Sequence, residues 1–329
     1  MSIIPYPDGL NKWAAKKQQA NIVAETLRKC KVAPRLSMSP EDIQQYWMMR
    51  ADSMANCASV LIYNYCRDCG AMHIARSYLC RDRLCPVCSW RLSLQRAGEM
   101  WLSLQKIYES GTAINAAMIT LTAKSVTGDM LENSIGQLLS AWARLRKRRS
   151  WTRWVAGYAR SLEVTIGSGG YHPHLHVLVL WADGYDRHIT QRQICDMWGD
   201  ALRVDYTPIC DIRRAYNKAP DGQTAEWERT MSAAIECCKY AVSGKITTSA
   251  TPEQLGYIAR ALKGRRLIAY GGTIATARAA LSLADDDTPA DVSDITITCP
   301  KCGSDDVISI TYQWATGGYL MGIPYAIQK

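Results

Sequence analysis

Tyr171-His172-Pro173-His174-Leu175-His176-Val177-Leu178-Val179-Leu180-Trp181 holds three of the chain's five histidines and runs straight into an apolar segment of strand type. Side chains alternate faces along a strand, so His172, His174 and His176 share one face, and Leu175, Val177 and Val179 share the other. Imidazoles in that register can grip one metal ion or one phosphate. A solitary histidine at a strand edge is usually structural. Three at period two, away from the core face, point to chemistry.

Upstream lie a strand-like stretch at 155–166 and the turn Gly167-Ser168-Gly169-Gly170. Antiparallel pairing across that turn can set Glu163 on the histidine face beside His174 and His176. Two imidazoles and one carboxylate leave positions open on a divalent ion, as a Lewis acid acting on a phosphodiester requires. Glu163 pairing with an arginine such as Arg160 is an equal reading of the same pattern.

Further out, 116–123 reads as a strand, and Thr127-Gly128-Asp129 as the cap of a helix with Leu131, Ile135, Leu138, Leu139, Trp142 and Leu145 on its apolar face. A short helix at 191–198 and strand material between 202 and 212 follow. The order β-α-β-β-α-β predicts an α+β fold with a ferredoxin/RRM-like antiparallel sheet, helices on one side and the histidines on a central hairpin. At 225–245, Trp227, Met231, Ala234, Ile235, Cys238 and Val242 form a helical stripe, with Glu236 and Tyr240 one turn apart opposite it. A tyrosine hydroxyl, pKa about 10, is a poor nucleophile unless its target is activated.

Thirteen cysteines in a chain without an export signal favour metal over disulfides. Cys66-Arg67-Asp68-Cys69 and Cys85-Pro86-Val87-Cys88, fifteen residues apart, predict one structural Zn²⁺ knuckle held by Cys66, Cys69, Cys85 and Cys88. Cys80 and His73 lie between the pairs as possible substitute ligands. Cys299-Pro300-Lys301-Cys302 is half of a ribbon with no second pair downstream. The domains expected are a helical N-terminal extension at 1–58, the knuckle at 59–95, the histidine-bearing sheet domain at 96–250 and a C-terminal region at 251–329.

The net charge of +9 is concentrated in Arg144 to Arg149, with Trp151 and Trp154 following, a composition suited to single-stranded nucleic acid. Arg146, Lys147, Arg148, Arg149, Trp151 and Lys245 are the DNA-binding candidates, although a basic run is often only a solvated helix face. No run reaches the length of a membrane span and no secretion signal opens the chain, so a cytoplasmic protein without membrane partners is expected. The chain has no Phe.

Five segments then occur in order: Cys80-Arg81-Asp82-Arg83-Leu84-Cys85-Pro86-Val87-Cys88-Ser89-Trp90-Arg91, Thr120-Leu121-Thr122, Leu162-Glu163-Val164-Thr165, His172-Pro173-His174-Leu175-His176 and Glu236-Cys237-Cys238-Lys239-Tyr240. Over roughly residues 66–245 they resemble the rolling-circle replication initiators of small bacterial plasmids, within the HUH endonuclease superfamily. The resemblance implies Mg²⁺ or Mn²⁺ on His174 and His176. It implies that Tyr240 attacks the origin strand, leaving a 5′-phosphotyrosine and a priming 3′-OH. It is similar to the subgroup in which a glutamate, here Glu236, activates water to end the cycle. The family often carries a lysine three residues after the tyrosine; here that position is Ser243, with Lys239 and Lys245 nearby.

The implied partners are single-stranded or cruciform origin DNA and the host helicase and polymerase. A histidine-triad nucleotide hydrolase would use the histidine stretch but leave the cysteines and Tyr240 idle. An HUH transposase or relaxase of another mobile element would share the motifs, and a non-enzymatic zinc-dependent nucleic-acid-binding protein would leave the histidines idle.

Overall fold

A computed structural model describes residues 7–35, 37–112, 115–182, 190–214, 234–235, 237–238, 244–283, 289, 292–293 and 298–326. In chain order the elements are α1 (Leu10–Arg28), α2 (Pro40–Asn56), β1 (Val60–Cys66), β2 (Met72–Ser77), α3 (Pro86–Glu109), β3 (Ala116–Thr122), α4 (Leu131–Leu145), α5 (Arg149–Trp154), β4 (Val155–Gly167), β5 (Gly170–Trp181), α6 (Gln191–Leu202) and β6 (Cys210–Arg214). Short helices at Gly244–Ser249 and Pro252–Leu262, β7 (Ile268–Gly272), a helix at Thr273–Ala280, β8 (Val292–Ser293), β9 (Val307–Ala315), β10 (Gly318–Met321) and β11 (Tyr325–Ala326) complete the described chain. None of the described helices is long and apolar enough to cross a membrane.

The chain divides into two compact units whose boundaries differ from those composition suggests. The first comprises Met1–Leu92, Thr247–Pro252 and Thr288–Lys329, and the second Ser93–Ile246 and Glu253–Asp287. In the first, the helix pair α1 and α2 accompanies a sheet of order β10-β9-β1-β2-β8, with β11 also on β9. The N-terminal helices, the cysteine-rich segment and the chain's last strands are thus one body. The cause is the antiparallel register of β1 on β9, from Val60↔Gln313 to Cys66↔Val307. Local chemistry starts α2 cleanly: the Ser39 side chain accepts from the Asp42 amide at 3.1 Å, Pro40 opens the helix, and Glu41 and Asp42 complement its N-terminal dipole.

The second unit's sheet has the order β6-β3-β5-β4-β7, with every neighbouring pair antiparallel. Residues 253–287, expected in a C-terminal region, belong here because β7 pairs with β4 from Gly157↔Gly272 to Ser161↔Ile268. Helices cover both faces of the sheet, not one. Trp142 of α4 meets Tyr158 edge-on at 5.0 Å, and Tyr158 is registered with Val179, which places α4 on the Val179 face. On the opposite face Met100, Leu104 and Ile107 of α3 join Ala234, Cys237, Cys238, Ile274 and Ala277 over Ala159, Leu178 and Leu180. The run Val177 to Trp181, apolar at every position, is the mark of a strand buried on both sides. Each such side chain, fully buried, contributes about 1.5–3 kcal/mol.

The start of α4 also differs from expectation. Met130, not Thr127 or Asp129, occupies the cap, and no side chain caps it. Gly128 is there for space: a Cβ on it would stand 2.3 Å from the ring of Tyr257.

Candidate metal centre and cysteine cages

The β4–β5 hairpin fixes the centre. Gly170 takes a positive φ of 98°, and a Cβ on it would come within 2.5 Å of the Val126 carbonyl oxygen, so glycine alone fits this tight turn. From Gly167↔Gly170 the register carries back to Glu163↔His174 and Ser161↔His176, while β3 sets Thr122 opposite His174 and Thr120 opposite His176. Glu163, His174 and His176 thereby converge on one face, with ligand atoms all within 4.8 Å of one another.

Glu163 Oε2 lies 2.9 Å from His176 Nε2 and 3.4 Å from His174 Nε2. The other ring nitrogens are engaged elsewhere. His174 Nδ1 donates to the His172 carbonyl at 3.1 Å, and His176 Nδ1 lies 3.2 Å from Thr120 Oγ1. The backbone acceptor holds Nδ1 of His174 as the donor, which leaves Nε2, on the Glu163 side, as the atom that would ligate an ion. That orientation by a backbone acceptor is typical of metal-ligating histidines. Burial alone would raise the Glu163 carboxyl, but hydrogen bonds and charge from His174 and His176 outweigh it and hold it at about 2. A carboxylate and two imidazoles in this arrangement suit an oxygen- and nitrogen-seeking divalent cation with room for substrate. His172 stands outside the triad, its Nδ1 3.4 Å from Ser125 Oγ. Trp198 of α6, fully buried, donates to the Thr122 carbonyl at 2.7 Å and anchors the strand end beside His174.

Of the two readings of Glu163, the geometry gives the histidine one. Arg160 is three residues away on the same strand and therefore on the other face. Its guanidinium donates instead to the carbonyls of Arg266 and Leu267.

Glu236, Lys239 and Tyr240 lie outside the described residues, as does the side chain of Lys245. Ala234, Ile235, Cys237 and Cys238, nearby in the chain, are described. The Cys238 amide donates to the Ala234 carbonyl at 3.1 Å, a helical turn, and Cys237 is fully buried. Cys237 Sγ donates to the Ala159 carbonyl at 3.2 Å and is 3.6 Å from the His176 carbonyl oxygen. The buried positions are thus Ala234, Cys237 and Cys238, whereas Ile235, expected in the stripe, is 49% exposed.

The basic run separates into parts. Trp151 is buried at 2% exposure and packs edge-on against Trp142 at 5.4 Å, so its ring is a core side chain and not a stacking platform for bases. Arg148 pairs with Asp200 at 3.1 Å. Arg146, Lys147 and Arg149 are exposed. All precede Val155, and eight strand residues from there to Glu163 span roughly 26 Å.

The cysteines form two cages where one was expected. Cys85 and Cys88 group with Cys57 and Cys80, and Cys66 and Cys69 group with Cys299 and Cys302. The two nearby pairs do not share an ion because the pairing of β1 with β9 sends Cys66 toward the distant pair instead. His73 belongs to neither cage. Cys57 was not visible from spacing, having no cysteine within three residues; it sits where α2 ends.

The first cage is closely supported. Cys88 Sγ is 3.6 Å from both Cys57 Sγ and Cys80 Sγ, and it accepts from the Arg81 amide at 3.2 Å. Arg50 pairs with Asp82, whose Oδ1 accepts from the Leu84 amide at 2.8 Å. Lys17 of α1, with no exposed surface, donates to the carbonyls of Ala55 and Cys57 and to Ser59 Oγ. A buried ammonium that interacts electrostatically with Cys57, Cys80 and Cys85 would offset part of the negative charge that a tetrathiolate site carries.

Comparison with known proteins fits this architecture. The family profile described as replication protein matches residues 71–319. "Protein rep" of Bacillus amyloliquefaciens is 29% identical over 292 residues, covering 83% of this chain and 83% of that one. "Protein rep" of Lentilactobacillus hilgardii is 28% identical over 247 residues, 72% of this chain and 77% of its own, and that of Streptococcus pneumoniae serotype 2 is 28% identical over 228 residues, 67% and 68%. No solved structure matches. The chain belongs to the replication protein family and is a rolling-circle replication initiator.

Proposed function

We propose that this initiator nicks one strand of a plasmid origin with Tyr240 as nucleophile, at a divalent-metal centre of Glu163, His174 and His176. The observation that carries the reading is Cys237, whose sulfur lies 3.6 Å from the His176 carbonyl oxygen. Three residues of chain span at most about 11 Å, so Tyr240 is tethered within side-chain reach of the centre's neighbourhood. The strand order β6-β3-β5-β4 supports a ferredoxin/RRM-like HUH nuclease sheet, widened by β7.

In the nicking step the tyrosine oxygen gives up its proton and bonds to phosphorus as the P–O3′ bond breaks, and the 3′ oxygen leaves to become the primer hydroxyl. A bound Mg²⁺ or Mn²⁺ supplies Lewis acidity toward the phosphate. Glu163 contributes the negative charge of the ligand set, and the hydrogen bond from His174 Nδ1 to the His172 carbonyl fixes that ring's orientation. Lys239 and Lys245 offset phosphate charge. Glu236 takes a proton from water when the phosphotyrosine is finally hydrolysed, because attack by neutral water needs a base.

A Zn²⁺ in the cage of Cys57, Cys80, Cys85 and Cys88 is structural: four sulfurs leave no open position. The substrate is single-stranded or cruciform origin DNA in the cytoplasm, with a host helicase and polymerase extending the 3′-OH. A histidine-triad hydrolase finds less support, since its nucleophile would be His174, which is 7% exposed and turned toward Glu163.

Mass spectrometry of the full chain after incubation with a single-stranded origin oligonucleotide and Mn²⁺ tests the reading. Wild-type protein should gain a covalent oligonucleotide on Tyr240, Tyr240→Phe should gain none, and Glu236→Ala should accumulate the adduct. Equal loss of nicking in both variants would assign Glu236 to the first step and overturn the division of roles.

A further inference from the structure

We infer that Cys66, Cys69, Cys299 and Cys302 hold a second zinc ion, which clasps the two ends of the discontinuous first unit. The two cysteine turns are built alike. Each reads Cys-x-x-Cys-Gly, and each glycine takes a left-handed φ, 68° at Gly70 and 75° at Gly303. Gly70 donates its amide to the Cys66 carbonyl at 3.0 Å, and Gly303 does the same to Cys299 at 2.8 Å. The first cysteine of each turn also donates its amide five residues on, Cys66 to the Ala71 carbonyl at 2.9 Å and Cys299 to that of Ser304 at 2.8 Å. Matched turns of this kind aim both thiolates of a pair at one point, and two of them facing each other make a tetrahedral cage.

The topology explains the meeting. Cys66 ends β1, Val307 begins β9, and the two residues are partners in the antiparallel ladder. The turn that follows β1 and the turn that precedes β9 therefore fall at the same end of the sheet. Sulfur separations fit an ion and not a bond: Cys66 to Cys302 and Cys69 to Cys299 are each 3.6 Å. Tetrahedral metal–sulfur bonds of about 2.3 Å separate sulfurs by roughly 3.8 Å, whereas a disulfide needs about 2.05 Å. Contacts between the turns complete the fit, with Arg67 paired to Asp306 at 3.3 Å and Ser304 Oγ donating to Asp68.

The two cages differ in access. In the first cage Cys57, Cys85 and Cys88 are buried and Cys80 is half-buried, whereas in the second Cys66 and Cys299 are buried, Cys69 is half-buried and Cys302 is exposed. The clasp ion is therefore the one a chelator reaches first. Tetrathiolate cages take zinc or iron, and we commit to zinc because two Cys-x-x-Cys pairs closing a four-sulfur cage at a sheet end are the ligand spacing of structural zinc ribbons.

Elemental analysis of freshly purified full-length protein should find two zinc per chain. On addition of 4-(2-pyridylazo)resorcinol, one equivalent should leave at least ~10-fold faster than the other. Cys302→Ser should bind one zinc, lose the fast phase and become cleavable by trypsin near Lys301. A wild-type content of one zinc, iron in place of zinc, or a Cys302→Ser variant with undiminished zinc would overturn the clasp. Should the variant aggregate, the wild-type content and biphasic release decide alone, and disulfide-bonded Cys302 in the intact protein, read as a mass loss of two, would also overturn it. None of these readouts depends on nicking, so their failure is separable from that of the nuclease assignment.

Discussion

In the second unit's sheet the candidate metal ligands project from strands; in the first unit they sit in turns and at a helix end. Glu163, His174 and His176 come from two strands joined by one tight hairpin, so thirteen residues separate the farthest pair. The cysteine cages draw on a strand end, loops, the end of α2 and the first turn of α3, and one spans 236 residues of chain. Strand-borne ligands are set by register, which a short turn determines. Turn-borne ligands are set by which strands pair, a property of the whole unit.

The largest effect that probes this contrast is catalytic. His174→Ala with His176→Ala should reduce nicking by at least ~10³-fold while zinc content stays unchanged, since the strand ligands serve chemistry and not the first unit's folding. Retained nicking, measured on a single-stranded origin oligonucleotide, would remove the centre from the mechanism. Next comes Cys57→Ser. Loss of a buried zinc ligand should lower the melting temperature by more than ~10 °C and release an equivalent of zinc. An unchanged melting curve would mean that Cys57 is a bystander and that three cysteines suffice.

Lys17→Met should cost roughly 2–4 kcal/mol in denaturant unfolding, because it removes the donor to the Cys57 carbonyl and Ser59 hydroxyl, leaves Ala55 only its bond from Ser59, and removes a positive charge near the cage. A loss below about 0.5 kcal/mol would show that Lys17 is not the counter-charge. The smallest effect belongs to the basic run. Replacing Arg146, Lys147 and Arg149 by Ala should weaken DNA binding mainly at low salt and flatten its salt dependence, with single-turnover nicking at saturating DNA unchanged. A drop in the saturated rate would place the run at the scissile phosphate despite its distance along β4.

The histidine face was legible because period two is a local rule, whereas the choice between the histidines and Arg160 as partners of Glu163, open in the pattern, came from the register of β4 on β5 and the contacts it makes. The β-α-β-β-α-β order was legible for similar reasons, each segment carrying its own periodicity. What failed was non-local. Grouping Cys66 and Cys69 with Cys85 and Cys88 followed sequence proximity, while the partner of β1 lay beyond the whole second unit. Cys57 and Lys17 gave no signal, because a lone cysteine and one lysine of a polar helix resemble countless surface residues. Trp151 misled through its company: among arginines it read as a base-stacking ring, yet with Trp142 and Tyr158 it forms part of the core.

The pairing of β1 with β9 also sets an order of events at the ribosome. Asn64 Oδ1 accepts from Ser309 Oγ inside that pairing, across 245 residues. At about 5–20 residues per second, β1 waits on the order of tens of seconds for its partner to be synthesised. The strands from β3 to β7 are all made within that interval. The second unit's sheet can therefore assemble while β1 still lacks the neighbour that covers its edge, and a nascent chain cut short before Val307 would carry the histidine centre together with an unfinished, protease-accessible first unit.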